Sequence, residues 1–539
     1  MKLLVIGLDG ATWSILKPLV DEGRLPTLKR LVEGGVWGKL ESTIPPVTGP
    51  SWLSFATGMN PGKTGVFDFL VHKEGSLTLQ PISSSTFRGK AFWDTLSSQG
   101  HNVGILNFPM LYPPYEINGF IVSGVGASES GDITFPKDLK GEIDKVAGGY
   151  EIAVSYHNKK YNDADLFLKD INRVLDKRIR VLFHLLKKKD WDVFIAVFSC
   201  TDWLQHLMWK HLDPSNPSFN SAKSERYRLQ FVEVWRKIDK ILSNLVALYD
   251  DANMMMVSDH GFGSQRGCFY VNSWLERHGF LVRRKRVTVD ARMRIRDFFM
   301  KKFLLSLLSA RSVRRTSLQR ILKRFDRKVT VESQIDFEKS IAFALGHTIP
   351  FGAIYLNVKG REPYGFVERG KQYEQIKAGI CGKLVNLGRE LNRKLEVAIL
   401  EPQKVYNGDK VDLAPDILFT INDWECVVIK SFADYVFTDS PYSSRHTGSH
   451  RMHGIFVSYG PDMRKGEAVE GIRIYDIAPT ILHMFNSRIA DNLDGRVLSE
   501  VFLEGSETAR RRVKQVAPCE AEKKRISEKI KTLKKARKI

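Results

Sequence analysis

Met254-Met255-Met256-Val257-Ser258-Asp259-His260-Gly261-Phe262-Gly263 is an apolar run too short for a helix, closed by a carboxylate, an imidazole and two glycines. Such a run reads as a buried strand that stops at a polar loop. In a parallel sheet, ligands bind at the carboxyl ends of the strands. Asp259 and His260 would stand there side by side, one oxygen and one nitrogen donor for a metal. From this stretch alone, a strand end followed by a solvated turn reads equally well.

The pattern recurs along the chain. Residues 3–8 form an apolar strand ending at Asp9, with Gly10 and Ala11 opening a helix. Val193 to Cys200 is a third apolar run of strand length, followed by Thr201-Asp202-Trp203-Leu204-Gln205-His206. Asp202 and His206 stand four apart, which on a helical turn places both donors on one face. His211 falls off that face and is expected at the surface. In Thr43-Ile44-Pro45-Pro46-Val47-Thr48-Gly49-Pro50-Ser51-Trp52 the prolines predict a helix beginning near Pro50 or Ser51. The Thr48 hydroxyl would lie just ahead of that N-terminus, as an ordinary cap or beside free amides that favour a phosphate. Ser443 to Gly454 carries His446, His450 and His453 in one glycine-flanked loop, a density of imidazoles that core packing does not explain.

Composition removes several alternatives. At 539 residues, with 43% hydrophobic and 27% charged residues, the chain can bury a full core. Its five cysteines are odd in number and scattered, which excludes a disulfide framework and fits a reducing, cytoplasmic setting. The first ten residues read as a strand and not a targeting segment, and no apolar run has the length to span a bilayer. Gly124-Val125-Gly126 lacks the third glycine of a dinucleotide fingerprint. Net charge is +21, but residues 283–328 hold 17 Arg and Lys against 3 Asp and Glu, and residues 505–539 hold 13 against 4. The rest of the chain is therefore close to neutral, and the basic character belongs to two appendages. Residues 283–328 also space Phe298, Phe303, Leu307, Leu318, Leu322 and Phe325 as an amphipathic helix would. Such a helix either packs on the core by its apolar face or meets an anionic lipid surface or polyanion.

Collected, the polar strand ends offer Asp9, Asp202, Asp259, His206, His260 and His450, with the Thr48 hydroxyl. Three carboxylates and three imidazoles can hold two divalent ions, and a two-metal site suits in-line phosphoryl displacement. A hydroxyl activated by metal coordination is a competent nucleophile.

These motifs, in this order, resemble the alkaline phosphatase superfamily in its type I phosphodiesterase and nucleotide pyrophosphatase branch. The residues that carry the resemblance are Leu8-Asp9-Gly10, Thr48-Gly49-Pro50 with Thr57-Gly58 and Pro61-Gly62, Asp202 to His206, Ser258-Asp259-His260-Gly261, Gly448-Ser449-His450 and Asp476-Ile477-Ala478-Pro479-Thr480. The resemblance implies an α/β fold: an alkaline-phosphatase-like three-layer sandwich with a mostly parallel central sheet, an inserted α+β cap subdomain and a basic C-terminal tail. The expected division is a catalytic core at residues 1–275 and 436–503, a cap at 276–435 containing the basic segment 283–328, and a helical or flexible tail at 504–539.

The resemblance further implies that Asp9, Thr48, Asp259 and His260 hold one metal and Asp202, His206 and His450 the other. Thr48 would attack phosphorus, giving a phosphothreonine that water then hydrolyses. Zinc is the family's usual metal, and manganese or iron suits the same donors. Ser51 stands three positions after Thr48, where nucleotide-cleaving members carry a substrate-binding asparagine; the resemblance makes Ser51 the expected substrate-binding residue, with one hydroxyl to donate, and weakens the expectation of a nucleotide substrate. Arg451 follows His450 where a glycine is usual, which makes His453 the reserve ligand. The expected activity is hydrolysis of small phosphate esters, most readily diesters. The alternatives are a phosphomonoesterase or phosphotransferase, including one acting on lipid headgroups, and a non-catalytic member that binds anionic lipid or nucleic acid. The basic segments 283–328 and 505–539 are the expected points of peripheral membrane or polyanion contact, and nothing in the sequence fixes an oligomeric state.

Overall fold

The computed structural model describes residues 1–72, 75–77, 79–128, 130–155, 158–284, 330–347 and 349–517. Among them, nine strands form the central sheet: β1 (Leu3–Leu8), β2 (Val36–Glu41), β3 (Val103–Phe108), β4 (Gly119–Ser123), β5 (Thr134–Phe135), β6 (Val193–Phe198), β7 (Asn253–Val257), β8 (His453–Tyr459) and β9 (Glu467–Arg473). Their order is β9-β2-β8-β7-β1-β6-β3-β4-β5. The central run from β7 to β4 is parallel throughout. Antiparallel pairing enters where β8 joins β7 and β2, and where β5 joins β4. The large, mostly parallel sheet expected from the sequence is therefore present.

β1 shows why its sequence is continuously apolar. Leu4, Ile6 and Leu8 point into one hydrophobic core and Leu3 and Val5 into another, on the opposite face. A strand covered on both faces has no solvated side on which to place polar residues. One face is covered by helices Ala164–Lys188 and Ser221–Leu248, through Phe167, Leu175, Trp235 and Ile238. The other carries helices Thr48–Thr57, Phe92–Ser98 and Ile477–Met484, through Trp52, Phe55, Phe92 and Ile481. The result is a three-layer sandwich.

A separate hydrophobic core lies in the segment between β7 and β8. Strands Ala342–Phe343, Gly352–Leu356, Ile417–Ile421 and Val397–Leu400 form an antiparallel sheet, with Lys371–Val385 the longest helix among its described residues. Phe343, Ile354, Leu384 and Phe419 join Phe269 and Trp274 in that core, so the chain enters this region with strand Gly267–Tyr270. A smaller apolar cluster sews it to the main sandwich: Val47 and Phe67 from the core meet Phe351, Tyr406, Leu418 and Trp424 from the cap.

Nearly all of the basic segment 283–328 lies outside the described residues, as does the tail from residue 518 onward. The start of the tail is docked. Gln515–Val516 pairs with Ile489–Ala490, and the Thr508 carbonyl lies 3.0 Å from His483 Nε2. No helix among the described residues is long and apolar enough to cross a membrane.

Candidate metal centre

β7, β1 and β6 are neighbours in the sheet, so their carboxyl ends bring three donor-bearing loops to one place. Asp9 follows β1 directly. The turn after it needs the left-handed conformation of Gly10 (φ 69°), whose N–H donates to Asp259 Oδ1 at 3.2 Å. Thr201 Oγ1 donates to the Asp9 carbonyl at 2.6 Å, fixing the β6 end against the β1 end. Asp202 and His206 lie one turn apart on helix Cys200–Met208, as the spacing predicts. His450 arrives from far along the chain on the short antiparallel pair of Gly261–Ser264 with Gly448–Arg451, whose register sets it opposite Phe262.

Helix Thr48–Thr57 begins earlier than the prolines suggest. Gly49 and Pro50 occupy its first turn, where an intrahelical N–H is not needed. Thr48 is thus the first helical residue, and no side chain caps this end. Its hydroxyl lies 3.4 Å from His260 Nε2, which disposes of the capping alternative.

The six expected donors form one buried cluster. His260 Nε2 is 3.3 Å from Asp259 Oδ2 and 3.6 Å from Asp9 Oδ1. Asp202 Oδ1 is 3.3 Å from both His206 Nε2 and His450 Nε2. The sets Asp9, Asp259, His260 and Asp202, His260, His450 each converge closely enough to hold a cation. His260 therefore borders both, while His206 joins the second through Asp202 and His450.

Backbone carbonyls orient all three rings. Nδ1 of His206 faces Gly448 O at 2.9 Å, Nδ1 of His260 faces Gly261 O at 3.0 Å, and Nδ1 of His450 faces Pro46 O at 3.0 Å. A carbonyl only accepts, so each Nδ1 carries the proton and each Nε2 turns a lone pair toward the cluster, the tautomer a metal ligand requires. His206 Nε2 and His450 Nε2 then face one another at 3.1 Å with two lone pairs and no proton between them. Asp9 Oδ1, Asp202 Oδ1 and Asp259 Oδ2 are buried without hydrogen-bond partners. Burial, together with mutual repulsion, raises the Asp9 carboxyl well above its usual range, and burial lifts Asp259 to about 8. Burial also lowers His260 and takes His450 down to about 3, keeping these two imidazoles neutral. Converging lone pairs and crowded, dry carboxylates are what divalent cations neutralise, so the donor set fits two of them.

Two residues are placed differently from the sequence expectation, and the reserve ligand falls outside the cluster. Ser51 is fully buried, and its hydroxyl lies 2.9 Å from both Ser42 Oγ and Thr43 Oγ1. It braces the two residues that follow β2, because the helix begins early enough to turn position 51 inward. His211 is buried, not exposed: helix Ser221–Leu248 covers it, with Tyr227 against its ring and Ser224 Oγ 3.3 Å from Nδ1. Burial depresses its pKa to about 4. His453 stands exposed at the start of β8, whereas His450 is inside the cluster. His446, given no role from the sequence, is also buried there, its ring centroid 4.1 Å from that of His206.

A family model described as type I phosphodiesterase/nucleotide pyrophosphatase matches residues 3–454. Human ectonucleotide pyrophosphatase/phosphodiesterase 5 aligns structurally over 93% of this chain and 100% of its own, at 13% identity and a TM-score of 0.50. The murine form gives 12% identity, the same two coverages and a TM-score of 0.49. At such identities the likeness is one of fold. No curated protein sequence matches the chain.

Proposed function

The chain belongs to the type I phosphodiesterase/nucleotide pyrophosphatase family, a family of metal-dependent phosphoric ester hydrolases, and on that footing we propose that it cleaves phosphodiesters through Thr48 with two divalent ions. The observation that carries this reading is the Thr48 hydroxyl, 3.4 Å from His260 Nε2 and standing on the first turn of a helix. That position combines a nucleophile with amides able to receive phosphoryl oxygens.

In this reading Asp9, Asp259, His260 and Thr48 hold one ion, and Asp202, His206 and His450 hold the other. The nitrogen-rich second set favours zinc, and manganese or iron suits the same donors. When bound, the ions lower the pKa of the hydroxyl and neutralise charge on the phosphoryl oxygens. The chain supplies the rest. Gly10 N–H and the Ser42 hydroxyl fix the Asp259 side chain and carbonyl. The Gly261, Gly448 and Pro46 carbonyls lock the imidazole tautomers. Thr48 Oγ attacks phosphorus, the leaving oxygen departs on the far side, and water hydrolyses the phosphothreonine.

The test is a screen of nitrophenyl phosphodiesters, phosphate monoesters, phospholipids and sulfates, with metal content measured by elemental analysis on the same sample. Diester turnover that needs two equivalents of metal supports the reading. A preference for monoesters or sulfates, or metal-independent turnover, removes it. The charge concentrated in 283–328 and 505–539 further supports peripheral contact with anionic lipid. Cosedimentation with phosphatidylserine vesicles that survives deletion of 518–539 and neutralisation of the arginines in 283–328 would sink that part.

A further inference from the structure

Arg451 directly follows His450 and ends the strand Gly448–Arg451, whose pairing with Gly261–Ser264 sets Ser449 opposite Gly263. The arginine side chain lies against Gly263: a Cβ on that glycine would stand 2.6 Å from Arg451 Nε and 2.7 Å from Cζ. Glycine at 263 thus leaves open the space that the guanidinium fills. From there the guanidinium donates to backbone oxygens. Nη1 donates to the carbonyls of His450 and Trp424, each at 2.9 Å, and Nη2 to that of Ser264 at 2.5 Å. Each of these hydrogen bonds is strengthened by the cation.

His450 and Ser264 belong to the core, but Trp424 belongs to the cap. It lies in the turn between strands Ile417–Ile421 and Cys426–Ile429. Asn422, Asp423 and Trp424 are all left-handed there, with φ of 49°, 47° and 70°, and none is glycine. Such a run is strained and persists only where its surroundings hold it. The Asn422 N–H donates to Glu396 O and its side-chain oxygen accepts the Glu396 N–H, both at 2.8 Å. The Trp424 ring stacks on Phe351 with centroids 5.7 Å apart and planes inclined by 10°. The turn is therefore fixed, with the Trp424 carbonyl aimed at the core. His450 is held at two points, its ring by Pro46 O and its backbone by Arg451.

We propose that Arg451 is a positioning residue for the second ion: it fastens the backbone of His450 to the cap turn, so that the Asp202 set takes its binding geometry with the cap in place. This rests on the reading of His450 as a metal ligand. The Pro46 carbonyl fixes the tilt of the imidazole, but the backbone sets how far Nε2 stands from Asp202 Oδ1, and a metal tolerates errors of only about 0.2 Å in its ligand distances. The Asp9 set is held within the core, by the Gly10 N–H on Asp259 and the Thr201 hydroxyl on the Asp9 carbonyl. Its ion is therefore indifferent to Arg451.

The experiment dialyses the full chain against buffers of graded free zinc and counts bound metal by elemental analysis. Arg451→Ala is expected to raise the free zinc needed for the second equivalent about 10- to 100-fold and to leave the first unchanged, so the first equivalent reports that the chain is folded. Gly263→Ala, whose methyl would meet the guanidinium, is expected to shift the second equivalent in the same direction and to add nothing in an Arg451→Ala chain. Trp424→Ala is expected to shift it by less than Arg451→Ala does. An unshifted second equivalent in Arg451→Ala, equal shifts of both equivalents, or additive losses in the double variant overturns the role of Arg451. An unshifted second equivalent in Trp424→Ala overturns the link to the cap. A wild-type chain that takes up fewer than two equivalents of zinc overturns the two-ion reading, and this one with it.

Discussion

The imidazole rings of His260 and His450 stack with centroids 3.7 Å apart and planes inclined by 18°. Each turns Nε2 to a different carboxylate group, His260 to Asp9 and Asp259, and His450 to Asp202. Both rings are held neutral by burial, so the stack carries no like-charge repulsion. The stacked pair is the wall between two donor sets, and the rings can be removed one at a time.

His450→Ala deletes a donor from the Asp202 set and leaves Asp9, Asp259 and Thr48 in place. Elemental analysis should find metal falling from two equivalents per chain to about one, with turnover reduced about 10²-fold or more. Retention of both ions would mean that His450 is not a ligand.

Thr48→Ala should abolish diester turnover, with a fall of at least about 10³-fold in kcat, while both metals stay bound, since six other donors remain. Thr48→Ser should keep measurable activity because it preserves the hydroxyl. Rapid-quench trapping of a phosphorylated chain with the wild type, and its absence with Thr48→Ala, is the direct check. Full activity of the alanine variant would remove Thr48 as nucleophile.

Gly7 in β1 leaves room for Trp52 of the nucleophile helix: a Cβ there would come within 2.5 Å of Trp52 Cη2 and 3.0 Å of Val197 Cγ2. Trp52 is fully buried, so neither ring nor strand can yield freely. Gly7→Ala should cost about 1–3 kcal/mol by overpacking, read as a lower midpoint in denaturant. It should also lower activity, because the displaced helix carries Thr48 away from Asp9. A variant with wild-type stability would show that this layer is looser than the packing indicates.

Acid stability has a local source in Glu142, which joins helix Leu139–Ala147 to the end of helix Ala164–Lys188. Its carboxylate lies 2.6 Å from His184 Nε2 and 3.1 Å from Lys189 Nζ. Partial burial works to raise this carboxyl, but the hydrogen bonds from His184 and Lys189 hold it at about 2. With the folded pKa below the unfolded value of about 4.3, the stabilisation is complete above that value and disappears as pH falls toward about 2. Denaturant midpoints measured between those limits should fall more steeply for the wild type than for Glu142→Gln. Parallel curves would mean that the ion pair contributes nothing.

The strand ends are legible in the sequence because each is a local event. Asp9, Asp202 and Asp259 each follow a run whose apolar continuity reports burial on both faces, and Asp202 with His206 needs only the periodicity of one helical turn. His211 and Ser51 escape such a reading for the opposite reason. Whether a residue at a helix margin faces solvent depends on what packs over it, and the helix that covers His211 comes from a later segment.

The amino-acid sequence by itself determined the buried strand ends, the donor types and the order in which they come, since these rest on hydrophobic runs and spacings within a few residues, and its ordered motifs carried the resemblance that implies the α/β class. Only the tertiary structure decided that His260 stacks on His450, that the distant carbonyls of Gly448 and Pro46 set the tautomers of His206 and His450, and that Asp68 of the core grips His347 of the cap. Those contacts join segments hundreds of residues apart. Their geometry follows from how two hydrophobic cores dock along an apolar seam, and no local propensity encodes that docking.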